Sequence, residues 1–304
     1  MMAPERFDAG PLLARRLTAQ DLAFVQHLMA HPQMHGHKPD PTPPTPDHIA
    51  QSHADDLAHW TAHGVGRYLV QQRDRAIGLC GLTQRAGFPG LNLSYHLHPE
   101  AWGKGLASVL AAGLVEMADR ALPVSYLHGL ARGGNPASTR VLDKAGFIRA
   151  ATVQLCGADS QLWIRALRDA EPILYYGGAW RPLVLQTSEG FILEVPVDLG
   201  HLEVHLRLPA DASDLAVLHR SVDRAHLAYA ALHPLGQTQR RATPEMSEVL
   251  RRTLHAPEAV LTRWLKAHDR RHHGAVSNMA ALAAGADLAK IREGHWLPLP
   301  RTKP

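Results

Sequence analysis

The stretch from Leu91 to Ala107, LNLSYHLHPEAWGKGLA, constrains this chain more than any other. It alternates as a strand and breaks at Pro99. It then turns through Trp102-Gly103-Lys104-Gly105 and enters an apolar run with helical spacing from Leu106 to about Arg120. The two glycines allow a sharp turn and leave no side chains over the first N–H groups of that helix. Those groups have no intrahelical partner, and the helix dipole makes that end positive. A strand, a bare turn and a helix start therefore predict a seat for phosphate oxygens, with the rest of the ligand lying back along the strand. The loop lacks the span and terminal Lys-Ser/Thr of a P-loop, and it lacks the third glycine of a dinucleotide fingerprint.

A chain of 304 residues predicts two domains, each large enough to bury a core. The formal charge of +4 is too small to argue for nucleic acid. The pairs Arg240-Arg241, Arg251-Arg252 and Arg270-Arg271 are interspersed with Glu245, Glu248, Glu258 and Asp269, without an aromatic stacking series, and read as a solvated helical face. Cys80 and Cys156 both lie in strand-like apolar runs. With no disulfide framework and no Cys-x-x-Cys motif, they point to a reducing compartment. The N-terminus has no apolar signal core, and no run reaches 18 apolar residues. The expectation is a cytoplasmic protein that does not engage a membrane.

In the first half, 12–17 reads as a strand. Thr18 to Asp21 resembles a capping box before a helix with Leu22, Val25, Leu28 and Met29 on one face. The Pro- and His-rich segment 31–46 must be a loop. Thr45-Pro46 starts a second helix running to about Ala62, with Ile49, His53, Leu57 and Trp60 inward. Strands are expected at 68–72, 76–84 and 91–98, then at 124–130 after the long helix. A short helix at 136–145 precedes strands at 147–153 and 161–167.

Two motifs resemble those of one family. Trp102, Gly105 and Ala107 stand at the spacing Gln/Arg-x-x-Gly-x-Gly/Ala, the acetyl-CoA loop of the GNAT N-acetyltransferases. The wording Pro-Glu-Ala-Trp-Gly-Lys-Gly-Leu-Ala looks most like the ribosomal-protein N-terminal acetyltransferase branch. The segment Asn135, Ser138, Leu142, Lys144, Gly146, Phe147 is similar to the family's Asn-x-x-Ser-x-x-x-Leu-x-Lys-x-Gly-Phe. The order β-α-α-β-β-β-α-β-α-β-β over residues 12–167 resembles the family's fold. The resemblance implies an α/β (α+β) fold in which a mixed, largely antiparallel central sheet is flanked by helices, in a domain 1–168. It implies acetyl-CoA as co-substrate, no metal, and acetyl transfer to a primary amine: a protein N-terminus, a small amine or an aminoglycoside.

The resemblance also assigns roles. Gly103, Lys104, Gly105, Leu106 and Ala107, with Trp102, would hold the pyrophosphate. A main-chain N–H near Leu97 or His98 would meet the thioester oxygen, and Asn135 would hold the pantetheine arm. The family often has a Glu-x-Gly-Tyr pattern in the fourth strand, but here the stretch is Asn92-Leu93-Ser94-Tyr95, and Asn92 cannot take a proton. By alternation Asn92, Ser94, His96 and His98 share one face, with Leu91, Leu93, Tyr95 and Leu97 on the other. His96, or His128 on the next strand, is the candidate base. Many members carry an acidic Tyr seven residues after the Asn; that position is Leu142, so Ser138 is the candidate acid. The pairs His35/His37 and His96/His98 have His-x-His spacing, but no acid or Cys closes a zinc set. No acidic patch for a polycation stands out, although Asp40, Asp47, Asp55 and Asp56 lie near the loop and helix that wall the family's acceptor site.

The second half, 169–304, reads as an accessory α+β domain. Strands are expected at 173–176, 182–186, 191–197 and 202–208, then helices at 213–232, 244–254, 257–268 and 277–292. Arg16-Leu17-Thr18, Asp21-Leu22-Ala23, His31-Pro32, Thr45-Pro46-Asp47 and Trp60 are echoed at Arg207-Leu208-Pro209, Asp214-Leu215-Ala216, His233-Pro234, Thr243-Pro244-Glu245 and Trp264. The echo suggests a truncated GNAT-like repeat used for packing, homodimerisation or substrate enclosure. The alternative to an enzyme is a non-catalytic acetyl-CoA-binding sensor or structural protein, since Asn92 and Leu142 replace a typical base and acid.

Overall fold

Alternating apolar residues build the first sheet. The computed structural model describes residues 2–155 and 157–302, and the chain divides into two units, Met1–Ala170 and Glu171–Pro304. In the first unit the elements are β1 (Arg6–Ala9), β2 (Leu12–Arg16), α1 (Leu22–Met29), α2 (Pro46–His63), β3 (Arg67–Gln72), β4 (Arg75–Gln84) and β5 (Leu91–Leu97). They continue with α3 (Leu106–Ala121), β6 (Tyr126–Arg132), α4 (Pro136–Lys144), β7 (Ile148–Leu155) and β8 (Ala158–Ala166). The eight strands form one mixed sheet, ordered β1-β2-β3-β4-β5-β6-β8-β7. Every pairing is antiparallel except β5 with β6.

The sheet is buried on both faces. Leu17, Leu69 and Leu79 pack with Val25, Leu28 and Ile49 of α1 and α2. Tyr68, Val70, Cys80, Leu82 and Leu93 pack with Leu110, Leu114 and Ala118 of α3. Burial pushes the Cys80 thiol well above its ordinary value, so it is an inert core residue. Cys156 lies outside the described residues.

The sequence reading missed β1. Its residues Arg6 to Asp8 are largely exposed and show no apolar period, and it forms because Gly10, at φ 55°, folds it back onto β2. The capping box is as expected. The Arg15 guanidinium grips Asp21 with two bonds of 2.6 and 2.9 Å, and Thr18 donates to the same carboxylate from both its N–H and its hydroxyl at 2.8 Å. This cluster fixes where α1 leaves the sheet.

The second unit has β9 (Ile173–Tyr176), β10 (Leu183–Thr187), β11 (Gly190–Asp198) and β12 (Glu203–Ala210) in an antiparallel sheet of order β12-β11-β10-β9. Six helices follow: α5 (Ala212–Arg220), α6 (Val222–Gln239), α7 (Pro244–His255), α8 (Glu258–Arg271), α9 (Ala275–Ala284) and α10 (Leu288–Glu293). Two expected helices are each divided. The run 213–232 breaks at Ser221, which is extended (φ −133°) and caps α6, and α6 continues to Gln239. The run 277–292 breaks at Gly285, in the left-handed region at φ 59°. The echoed Asp214 closes a capping box with Asp211, as Asp21 does with Thr18, although the echo set Pro209 rather than Asp211 opposite Thr18, and the echoed His233-Pro234 lie inside α6. Among the described residues no helix is long and apolar enough to cross a membrane.

Burial alone would raise the Asp21 carboxyl, but the Arg15 fork and the Thr18 donors outweigh it and hold it below its ordinary value. A depressed carboxyl adds stability that is present above its unfolded value, near 4, and is lost as pH falls through the folded one. Asp21→Asn is therefore expected to cost about 1–3 kcal/mol at neutral pH. In calorimetric unfolding of the full chain, the gap to the parent should narrow as pH is lowered from 5 to 2.

Candidate active site

The site begins where β5 and β6 part. Among the described residues they pair in parallel only at Leu91 with Leu127 and Asn92 with His128. The N–H of His98 donates to the Ile77 carbonyl at 2.8 Å, so by alternation the N–H groups of Tyr95 and Leu97 face the opposite edge, toward the gap. His98 is thereby removed as the free main-chain donor, and Leu97 remains. Leu97 is fixed from the other side as well: the Trp102 indole N–H donates to its carbonyl at 2.7 Å. That bond ties the glycine turn to the end of β5 and explains the use of tryptophan there.

Gly103 and Gly105 both sit in the left-handed region, at φ 73° and 74°, and a Cβ at either would meet only open space. Gly105 is the N-cap of α3, and no side chain caps this helix. Ser108 and Val109 bond back to the Gly105 carbonyl, which leaves Leu106 and Ala107 with N–H groups that have no helical partner. The turn, the end of β5 and the start of α4 open on one cleft of about 620 Å³. Trp102, Gly103, Gly105, Leu106 and Ala107 line one end, and His96, Leu97, Asn135 and Ser138 line the middle. Asn135 caps α4 by accepting from the Ser138 N–H at 3.1 Å, which commits its side-chain oxygen and leaves its amide nitrogen. Lys104 is exposed and does not line the cleft.

Of the histidines, the structure brings only His96 to the cleft among those named for catalysis. His128 is fully buried, stacked on Phe88, and bonded through Nδ1 to the Pro89 carbonyl at 2.9 Å. Burial pushes it down to about 4, and it is a packed core residue. His98 stacks on His27 and meets His31 edge-on, outside the cleft. His96 is pushed down to about 3, first by burial, then by Arg67, Lys38, His37 and His35. Arg67 Nη1 lies 3.3 Å from His96 Nδ1. An arginine can only donate, so Nδ1 accepts and the neutral ring carries its proton on Nε2. His96 thus has no free lone pair for an incoming proton, contrary to the expectation of a base. Arg67 is also bound by Asp56 at 3.0 Å, although burial still lifts the Asp56 carboxyl above its ordinary value.

Sequence reasoning missed several lining residues. Tyr95 was placed on the face away from His96, yet both line the cleft, because the parted seam exposes the strand edge to neighbours from either face. Its hydroxyl is close enough to feel Ser138 but is buried without a hydrogen bond of its own. Arg140 and Lys144 join Ala137 and Val141 on the cleft side of α4, an i, i+3, i+4, i+7 face that the sequence already contains. Leu142, at the family's tyrosine position, is buried in the core against Gly129. Gln33, Met34, Gly36 and His37 of the α1–α2 loop close the far end. Lys38 donates to His35 Nδ1 at 2.7 Å, and His35 Nε2 donates to the Met29 carbonyl at 2.6 Å, so this ring is fully engaged. Among the described residues no group of three or more His, Cys, Asp or Glu is placed to hold a metal.

The fold and cleft define an α/β domain with one cleft opening where a parallel strand pair parts. Residues 12–148 match the family model described as an acetyltransferase (GNAT) domain. No curated protein matches the chain. Similar solved structures include an acetyltransferase from Agrobacterium tumefaciens, 20% identical, covering 54% of this chain and 96% of that one, TM-score 0.48. A GNAT-family acetyltransferase from Bacillus anthracis is 15% identical over 53% of this chain and 98% of its own, TM-score 0.46. A ribosomal-protein-S5-alanine acetyltransferase from Vibrio fischeri is 18% identical over 55% and 99%, TM-score 0.45.

Trp102→Phe keeps the ring but removes the donor to Leu97. The expected result is faster amide hydrogen exchange across 97–106, with about 0.5–1.5 kcal/mol lost locally, and unchanged exchange in β3 and β4.

Proposed function

We propose that the first unit is an acetyl-CoA-dependent N-acetyltransferase. The observation that carries this reading is that an uncapped helix N-terminus and an unpaired strand edge open on the same cleft. The N–H groups from Gly103 to Ala107 bind the pyrophosphate, with Arg140 and Lys144 adding positive charge on the α4 side. The pantetheine runs past the Asn135 amide. The Leu97 N–H faces the thioester oxygen, where negative charge develops during attack.

The amine nitrogen attacks the thioester carbon, the carbon–sulfur bond breaks, and the thiolate takes up a proton. Ser138, which lines the cleft with Tyr95, is the donor assigned to the departing sulfur. His96 is not the base. Moving a proton from an ammonium of pKa roughly 8–10 to a group near 3 is uphill by about 7–10 kcal/mol. The amine therefore enters neutral, and holding it against the thioester does the remaining work. A binding protein that retains acetyl-CoA without turnover is the second reading, and it is favoured by the engagement of the His96 Nδ1 lone pair by Arg67, which leaves none free for the amine proton.

Calorimetry with acetyl-CoA tests the proposal. The parent chain should bind, and Gly105→Glu should abolish binding, because a side chain and a negative charge enter the phosphate seat; equal binding by both would remove the loop from the site. Thiol release across an amine panel then separates enzyme from sensor. The pH profile carries its own expectation. For two acceptors of different basicity, the rise of kcat/KM with pH should follow each amine's own pKa. An inflection fixed near 6–7 for both would restore a histidine base.

A further inference from the structure

The cleft opens on both faces of the sheet, and the strand register separates its two halves. Tyr95 pairs with Cys80 and Cys80 with Tyr68, the row that packs against Leu110 and Leu114 of α3. α4 buries Leu142 in the same cluster, so the glycine turn, Asn135 and Ser138 belong to this face. His96 pairs with Leu79 and Leu79 with Leu69, the row that packs against Val25, Leu28 and Ile49 of α1 and α2. Met34, from that second cluster, lines the cleft with His96. A cofactor held at the start of α3 enters from the first face, which leaves the second to the acceptor.

His96 offers this second half one hydrogen bond, and its direction is fixed. Arg67 and His96 stand two strands apart, and the residue opposite Arg67 on the strand between them is Gly81. A Cβ there would lie 2.7 Å from the Arg67 Cα. With no side chain in the way, the guanidinium crosses β4 and places Nη1 3.3 Å from His96 Nδ1. Asp56 of α2 anchors the same guanidinium through its Nε at 3.0 Å. An arginine cannot accept, so the neutral ring keeps its proton on Nε2. Burial, and then Arg67 from β3 with Lys38, His37 and His35 from the α1–α2 loop, hold the ring in that neutral form. Among the described residues Nε2 has no hydrogen-bond partner, and unlike Ser94 Oγ, the Tyr95 hydroxyl and Arg132 Nη1 it is not sealed from solvent. On a half-buried residue that lines the cleft, this leaves an N–H open to a ligand.

Resting on the N-acetyltransferase reading, we propose that the His96 Nε2–H binds an oxygen of the acceptor close to its reacting nitrogen, and that Arg67 and Asp56 are the positioning residues that keep this group a donor. The closeness follows from the chain itself. His96 adjoins Leu97, whose N–H faces the thioester on that reading, and consecutive Cα atoms lie about 3.8 Å apart. The oxygen is that of a carbonyl or a hydroxyl, and either accepts from an N–H. A plain polyamine has no such atom and would leave the donor unpaired. A site built to bond a polar group discriminates strongly against the analogue that lacks it.

The test uses the full chain with saturating acetyl-CoA and measures kcat/KM per neutral amine for alaninamide, alaninol, sec-butylamine and spermidine. sec-Butylamine has the shape of alaninol without the oxygen. Alaninol or alaninamide should exceed it by about tenfold or more. A lead for alaninamide assigns a carbonyl, and a lead for alaninol assigns a hydroxyl. His96→Phe should bring the ratio close to one while the Kd for acetyl-CoA stays unchanged, which also certifies folding. His96→Gln keeps an N–H donor and should restore most of the ratio. Histidine 15N NMR of the parent should show a proton on His96 Nε2 and none on Nδ1 at neutral pH. In Arg67→Met a proton should appear on Nδ1 and the ratio should fall several-fold, which a merely structural arginine would not produce. Equal use of sec-butylamine by the parent, preference for spermidine, a ratio unchanged in His96→Phe, or a parent ring protonated on Nδ1 would each overturn the oxygen seat and leave the cofactor site standing. Turnover of no acceptor by a protein that binds acetyl-CoA would do the same. Failure of the parent to bind acetyl-CoA would overturn the N-acetyltransferase reading instead.

Discussion

The site depends on one divergence between two strands. β5 and β6 are pinned together at one end and free at the other. At the pinned end the turn before β5 passes so close to β6 that a Cβ on Gly90 would fall 1.8 Å from the Tyr126 carbonyl. Only glycine, at φ 65°, allows that approach. At the free end β5 is held by β4, where Gly78 leaves room for His96 and Leu97: a Cβ there would lie 2.4 Å from the His96 carbonyl. The two close approaches commit β5 to different neighbours at its two ends. The edge N–H groups between them are left to a ligand, and the starts of α3 and α4 converge on the opening they create.

The elements that were legible from sequence are those whose cause is local. The glycine turn, the capping box and the Thr45-Pro46 helix start each depend on a few adjacent residues, and the structure has them where the spacing predicts. The features missed depend on distant partners. β1 has no pattern of its own and exists through pairing to β2. Ser221 reads as an ordinary residue in a helical run, yet the chain breaks there as α6 begins. Arg224, three residues on, turns back to bond the Thr253, Leu254 and Ala256 carbonyls at the end of α7.

The histidines show the same limit at the level of chemistry. Alternation correctly put His96 on β5 facing away from Leu97, but its protonation state is set by Arg67, which lies 29 residues earlier in the chain. His128 looked equally suited, being one strand away, and burial against Phe88 and Pro89 removes it. Strand position specifies a neighbourhood; which ring nitrogen carries the proton is decided by the hydrogen-bond network around it. Tyr95 makes the complementary point. Its assigned face was the apolar one, and it nonetheless reaches the cleft because the sheet is no longer continuous there.

The engagement of His96 by Arg67 and the positive character of the cleft are linked. A site that binds the ammonium form of its acceptor needs carboxylates to hold the charge and a base to remove the proton. On the N-acetyltransferase reading, a site lined by Arg140 and Lys144 with no carboxylate favours the neutral amine on entry. The cost is transferred to the fraction of acceptor that is unprotonated in solution, which for an amine of pKa roughly 8–10 is a loss of about one to three powers of ten at neutral pH. On the N-acetyltransferase reading, the stretch of the cleft between Leu97 and Ser138 orients the carbon and the nitrogen that must meet.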